Sequence, residues 1–261
     1  MKVSKASIYD FPTYYDLVFG SDTAAELKFL DDCFSRFVSG RVKRAFEPAC
    51  GTGRLMYRLA QKQKIEVGGI DLNEKAVVYC NERMERLGLK GRAMVGDMCD
   101  FEVGRPFDAA FNTINSFRHV HGEEAALAHL RATAGAIRAG GIYALGLHLT
   151  PTRGEATDEE SWSARRGQLS INTHMWPIEK NKRKRLERFG IRFDVYKPTE
   201  SFRIEDVLEL RSYTAKQFQS LIDSANDVWE LVEYFDFTYD ASQPIQLKPT
   251  TEDIVAILRR R

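Results

Sequence analysis

Glu47-Pro48-Ala49-Cys50-Gly51-Thr52-Gly53-Arg54-Leu55, with Asp71 further along the chain, is the stretch on which the fold turns. Its partly apolar lead-in (Val42, Ala45, Phe46) predicts a buried strand. Ala49, Gly51 and Gly53 are small enough to let the backbone turn tightly and approach a ligand. Arg54-Leu55-Met56-Tyr57-Arg58-Leu59-Ala60 then reads as a helix whose first amides face that ligand. A second strand, Glu66-Val67-Gly68-Gly69-Ile70, delivers Asp71 to the same edge, where a carboxylate can accept both hydroxyls of a ribose. Together these predict a nucleoside site.

The spacing narrows the choice of nucleoside. A dinucleotide site wants G-x-G-x-x-G, with its helix N-terminus on a pyrophosphate. Here the pattern is A-x-G-x-G, and Arg54 or Met56 takes the place of the third glycine. The acidic Glu47 would repel a pyrophosphate but attract an ammonium. A ligand with a ribose and an amino-acid end, and no phosphate, suits these charges.

The four motifs in order resemble the cofactor half of the class I S-adenosylmethionine-dependent methyltransferases, over residues 45 to 117. EPACGTG is similar to their first motif and GIDLNEKAV to their second. GDMCDF is similar to the segment that reads the adenine, and FDAAFNTINSF to the fourth strand and the loop after it. Ala49 departs from the commoner glycine but is still small. The resemblance implies an α/β, Rossmann-like, doubly wound and mostly parallel seven-stranded sheet with an antiparallel edge hairpin.

It also implies roles for S-adenosyl-L-methionine as cofactor. Gly51, Thr52 and Gly53 would offer close backbone approach beside Ala49, Glu47 would lie near the amino-acid end, and Asp71 would take the ribose. Leu72 would pack on the adenine, Asp97 would accept from its amine, Met98 would offer a backbone amide, and Asn112 would sit beside the sulfur. Glycines at such a turn can also be plain turn residues, and Asp71 or Asn73 could cap the next helix.

The rest of the chain is consistent with this frame. With 261 residues, 43% hydrophobic and 29% charged, it can bury a substantial core. Lys plus Arg number 38 against 37 Asp plus Glu, so no global field recruits nucleic acid or an anionic membrane. The four cysteines lack C-x-x-C spacing, which argues against a metal site and suggests reduced thiols in the cytoplasm. No segment approaches the roughly 20 apolar residues of a membrane span.

Strands are expected at 42 to 47, 65 to 70, 92 to 96, 107 to 112 and 142 to 149. Helices are expected near 53 to 63, 74 to 87 and 123 to 138, the last stopped by Gly140-Gly141. Thr23 to Glu26 and Thr214 to Gln217 read as capping boxes. Before the first lies an aromatic segment, Ile8 to Asp16, either a cap on the core or, by resemblance, a lid carrying Tyr15.

The period changes after residue 150. Leu169 to Trp176, Ile191 to Tyr196 and Phe202 to Leu210 show period-two character, predicting a three-stranded antiparallel insertion over the acceptor pocket. The division is then 1–40 lid and helix, 41–149 cofactor core, 150–212 insertion, and 213–261 a helix and edge strands completing the core. The basic run Lys180 to Arg188 is either a solvated hairpin tip or a handle for an acidic substrate.

In-line methyl transfer needs positioning more than a covalent residue. On the acceptor side, Asn115, Phe117, Arg118 and Trp176 are expected to touch substrate. His148 and His119 are candidate bases, or hydrogen-bonding bystanders. Tyr14, Tyr15, Phe117 and Trp176 could shield a sulfonium by cation–π contact. The favoured activity is methylation of a nitrogen or oxygen of a small molecule. The alternatives are a non-catalytic S-adenosylmethionine-binding scaffold or a nucleotide-dependent oxidoreductase.

Overall fold

The computed structural model describes residues 1–21, 23–153 and 159–261. In chain order the elements are β1 (Lys2–Lys5), α1 (Pro12–Phe19), α2 (Ala24–Phe37), β2 (Arg44–Pro48), α3 (Met56–Gln63), β3 (Glu66–Asp71), α4 (Glu74–Arg86), β4 (Gly91–Val95), β5 (Phe107–Asn112), α5 (Glu123–Ala136) and β6 (Ile137–His148). There follow β7 (Glu160–Arg166), β8 (Leu169–Asn181), β9 (Leu186–Tyr196), β10 (Ser201–Arg211), α6 (Ala215–Asp223), β11 (Trp229–Phe235) and β12 (Asp253–Arg260).

Seven strands form one sheet in the order β11-β12-β6-β5-β2-β3-β4. Its neighbours are parallel except at β12, which runs antiparallel to both β6 and β11. The sheet is therefore the expected Rossmann-like one with an antiparallel edge hairpin. Apolar side chains on both faces explain its burial. Leu30, Phe34, Leu59 and Val77 cover one face from α2, α3 and α4, while Leu130, Ala134, Phe218 and Leu221 cover the other from α5 and α6. The chain reverses order between β2 and β5, so the carboxyl ends of these strands open a crevice.

A second sheet, ordered β1-β10-β9-β8-β7, differs from the expected three-stranded insertion. It is mixed: β1, from the chain start, pairs in parallel with β10, whereas the other pairs are antiparallel. Neither added strand shows a readable alternation. All four residues of β1 are exposed, and in β7 only Trp162 and Ala164 turn an apolar side chain inward.

The capping boxes divide. Thr214 and Gln217 form one, with Thr214 N–H donating to Gln217 Oε1 at 2.9 Å and Gln217 N–H to Thr214 Oγ1 at 3.2 Å. The box expected at Thr23 is absent, because Glu26 has a stronger use. Its carboxylate accepts both ends of the Arg54 fork, at 2.5 and 2.8 Å, and the Thr113 hydroxyl at 2.6 Å. Nor do Gly140 and Gly141 stop a helix. Helix α5 ends at Ala136, and the glycines lie within β6 where its register against β5 is irregular.

Asp16 of α1 ties the two sheets together. It is 5% exposed and accepts from Thr52 Oγ1 at 3.1 Å, Arg83 Nη2 at 2.6 Å and Arg166 Nη2 at 3.3 Å. Those partners lie in the loop after β2, in α4 and in β7. Asp16→Ala strands the buried Arg83 guanidinium, and thermal or denaturant unfolding should show a loss of about 3 kcal/mol or more. A loss below about 1 kcal/mol would mean that water replaces the carboxylate.

Candidate active site

The loop after β2 is built on left-handed backbone: φ is 53° at Ala49, 52° at Gly51 and 67° at Gly53. A Cβ added at Gly53 would also fall 2.4 Å from Cys80 Sγ in α4. Gly53 therefore provides the close packing that a dinucleotide motif assigns to a later glycine. Ala49 holds its conformation at a cost of roughly 1 kcal/mol that glycine would avoid.

Asp71 locks this loop to the end of β3. Its Oδ2 accepts the Gly51 N–H at 2.7 Å and its Oδ1 the Asn73 N–H at 2.8 Å. Burial raises its pKa, with the two amide bonds pulling the other way. Asn73, not Asp71, caps α4, accepting from Ala76 N–H at 3.0 Å. That division leaves the remaining lone pairs of Asp71 on a cavity of about 1030 Å³ which runs from this loop to the inner face of the second sheet.

The opposite side of the cavity holds two buried acceptors with an open valence. Glu47 is 5% exposed, and its Oε2 has no partner among the described residues. Burial pushes its carboxyl well above the usual carboxylate range, with Arg54 working against that shift. Asn112, on the neighbouring strand, donates to the Pro48 carbonyl at 2.7 Å and leaves its buried Oδ1 unpartnered. Two orphaned oxygens at adjacent strand ends fit an ammonium group.

Leu72 lines the cavity although 71% exposed, an apolar surface suited to a flat ring. Met98 lines it too, held from behind by His129, whose Nδ1 meets the Met98 carbonyl at 3.0 Å and whose Nε2 meets Tyr143 Oη at 2.9 Å. Burial lowers the His129 pKa to about 4, so the ring is a neutral strut. Nothing in the sequence pattern marked it, because a histidine inside an amphipathic helix has no distinctive spacing.

Asp97 does not reach the wall. Its side chain is exposed and turns back to the Cys99 N–H at 2.8 Å. Thr52 lines the cavity, but its hydroxyl is committed to Asp16.

The aromatic segment acts both as core and as cover. Tyr15 and Phe19 line the cavity, their rings tilted against each other at 4.6 Å, with Tyr9 at 5.3 Å from Tyr15 and Trp162 edge-on to Phe19. Tyr14 lies away from it, against Phe11 and Phe202.

On the acceptor side, two expected contacts are corrected. Phe117 is fully buried, stacked on Tyr213 beneath the cavity floor. Trp176 lies on the outer face of the second sheet, stacked on His174 and filling the space above Gly190. Strand alternation is the reason: its neighbours Met175 and Pro177 are the ones facing inward. Trp162 is the inward aromatic, in the strand the pattern did not show.

Arg118 lines the cavity but is spent on Glu187, which also accepts Thr150 Oγ1 at 3.0 Å and Lys180 Nζ at 3.3 Å. Half of the basic run is likewise paired, Arg185 on Glu123 and Arg188 on Glu179 beside Lys180 on Glu187.

Both candidate histidines face the cavity. His119 Nε2 meets Tyr9 Oη at 2.8 Å, and burial followed by the charges of His121 and Arg118 lowers its pKa. Water in the cavity reaches the residue and moderates that burial, leaving a neutral ring near pH 7. His148 Nδ1 lies 2.5 Å from Asp253 Oδ1, and its backbone N–H donates to Asn115 Oδ1 at 3.1 Å. Asp253 was not foreseen, since the pair exists only through β6–β12 pairing.

Among the described residues no group of three or more His, Cys, Asp or Glu is placed to hold a metal, and no helix is long and apolar enough to cross a membrane.

Residues 45–141 match the family described as "Methyltransferase domain". No curated protein matches the chain in sequence. Among solved structures, an S-adenosylmethionine-dependent methyltransferase from Clostridium acetobutylicum superposes with a TM-score of 0.76 at 17% identity, over 95% of this chain and 97% of that one. The sugar N-methyltransferase KedS8 from a Streptoalloteichus species gives 0.73 at 17% identity, over 99% and 95%. CalS10, an amino pentose methyltransferase from Micromonospora echinaspora solved with S-adenosylmethionine bound, gives 0.71 at 17%, over 97% and 98%. Residues 45–141, which hold the glycine loop and Asp71, thus form a methyltransferase domain, and the whole chain has the fold of the S-adenosylmethionine-dependent methyltransferases it superposes on.

Asp71→Ala should weaken binding of S-adenosylhomocysteine by about 10- to 150-fold in calorimetry, or about 1.5 to 3 kcal/mol. Unchanged affinity would remove Asp71 from the ribose. An ammonium seated beside Glu47 would stabilise the ionised form of its carboxyl, which burial disfavours. Binding should therefore release protons at pH values below that raised pKa, seen as a buffer-dependent heat. Glu47→Gln should abolish the Glu47 share of that release.

Proposed function

We propose that the enzyme methylates a nitrogen or oxygen of a small molecule, and that an amine is the acceptor its cavity suits best. S-adenosylmethionine supplies an electrophilic methyl carbon. Glu47 and Asn112 hold its amino-acid end, Asp71 its ribose, and Leu72 and Met98 flank its adenine. Tyr9, Tyr15, Phe19 and Trp162 exclude water from the reacting centre. Much of the rate then comes from fixing the acceptor within roughly 3 to 3.5 Å of the methyl carbon.

The observation that carries the amine reading is the charge on the far wall. Glu160, Glu252 and Asp253 line the cavity there, with Glu179 beside them on Arg188. Of its lining cations, Arg54 is paired with Glu26, and Arg118 and Lys180 share the Glu187 carboxylate. A cationic amine gains from that wall, whereas a phosphorylated acceptor meets repulsion. That KedS8 and CalS10 are described as acting on a sugar nitrogen and an amino pentose supports the same reading. The Tyr9–His119 pair offers an uncharged hydrogen-bonding station for the acceptor's other polar groups.

Incubation with methyl-labelled S-adenosylmethionine and matched sets of amino sugars, alkylamines, alcohols and their phosphorylated forms tests this. Label should appear on amines and be lost when a phosphate is added. Labelling of alcohols alone, or a preference for phosphorylated members, would overturn the amine assignment.

A further inference from the structure

Methyl transfer to an amine, on the reading above, requires a proton to leave first. An amine is largely an ammonium near neutral pH, and an ammonium has no lone pair with which to attack carbon. We propose that His148 is the base that takes this proton and that Asp253 is the residue that positions it.

The geometry is that of a histidine with one nitrogen already committed. Asp253 Oδ1 accepts at 2.5 Å from Nδ1, which therefore carries the hydrogen and leaves the lone pair on Nε2. The partnership is set by the fold, since His148 and Asp253 are register partners across β6 and β12. The backbone is held too. Asn115, at φ 57°, donates its N–H to the Gly146 carbonyl and accepts the His148 N–H, both at 3.1 Å. Phe237 packs edge-on against the ring at 5.0 Å. A ring fixed at its backbone, its face and its Nδ1 retains one unassigned functional atom, Nε2.

His119 lacks these properties. Its Nε2 is occupied by the Tyr9 hydroxyl, and burial makes it a weaker proton acceptor. Around His148 the titratable neighbours are Asp253 and Glu252 at the start of β12 and Tyr239 after β11. Across the cavity stand Glu187, Arg118 and Lys180, which are paired among themselves.

In the step itself an N–H bond of the ammonium breaks and an Nε2–H bond forms on His148. The electron pair left on nitrogen makes the new N–C bond as the methyl's bond to the sulfonium breaks, and the pair of that bond leaves on sulfur as the neutral thioether of S-adenosylhomocysteine. Asp253 stabilises the imidazolium until water takes the proton, for which the histidine side chain, 41% exposed, has access.

The test uses whole protein labelled with ¹⁵N-histidine and saturated with S-adenosylhomocysteine, its ring nitrogens followed by NMR from about pH 5 to about pH 9. His148→Gln assigns the signal. The neutral ring should carry its hydrogen on Nδ1, and Asp253→Asn should release that preference by replacing the carboxylate that accepts it. Hydrogen on Nε2 in the wild-type protein, or a tautomer unchanged in Asp253→Asn, would overturn the dyad.

Turnover of a labelled amine gives the second readout. His148→Gln should lower kcat by about 100-fold or more while S-adenosylhomocysteine affinity stays the same. In Asp253→Asn kcat should fall while S-adenosylhomocysteine affinity stays the same. Undiminished kcat in His148→Gln would overturn the base assignment. If the wild-type enzyme methylates no amine, the amine reading fails separately, and the ring titration still decides the dyad.

Discussion

Asp71 takes the Gly51 N–H on one oxygen and the Asn73 N–H on the other, and the site is arranged around that bridge. A carboxylate is costly to remove from water, and two amide donors offset much of that cost. In return, the loop after β2 and the turn after β3 are held at one separation before any ligand arrives. The left-handed residues at Ala49, Gly51 and Gly53 then have a single shape to adopt. Binding can spend its free energy on contacts rather than on ordering the loop.

The same principle recurs at larger scale. Asp16 and Glu26 are buried carboxylates whose partners lie on other elements: Arg83, Arg166 and Thr52 for the first, Arg54 and Thr113 for the second. Each secures the N-terminal segment to the core, and Glu26 also satisfies Arg54, a cation of the cavity wall. The unbalanced charge that remains along the far wall is negative, and Glu47 becomes so when a cation meets it. A pocket prepared in this way favours cations at both ends, one on the donor and one on the acceptor.

How much of this could be read from the chain follows from the range of each interaction. The parallel sheet was legible because buried strands and amphipathic helices each carry their own period over a few residues. Gly51, Gly53 and Asp71 were legible because a tight turn and a ribose constrain residue type locally. β1 and β7 were not, since an edge strand with few inward side chains looks like loop until its partner is known. Trp176 was placed on the wrong face because one residue of register inverts a strand. Phe117 was assigned to the cavity from its loop, whereas burial against Tyr213 depends on the distant α6 region. Asp253 and His129 act through contacts more than a hundred and about thirty residues away in sequence, and no local pattern announces such pairs.

One of those distant pairings bears on how the chain is made. Lys2 to Lys5 add to the second sheet only beside Phe202 to Glu205. At a synthesis rate of roughly 5 to 20 residues per second, Lys2 to Lys5 wait on the order of 10 to 40 s for that partner to be made. During this interval the tyrosine-rich segment behind them has no second sheet to lie on, so its rings stay uncovered until the late strands arrive.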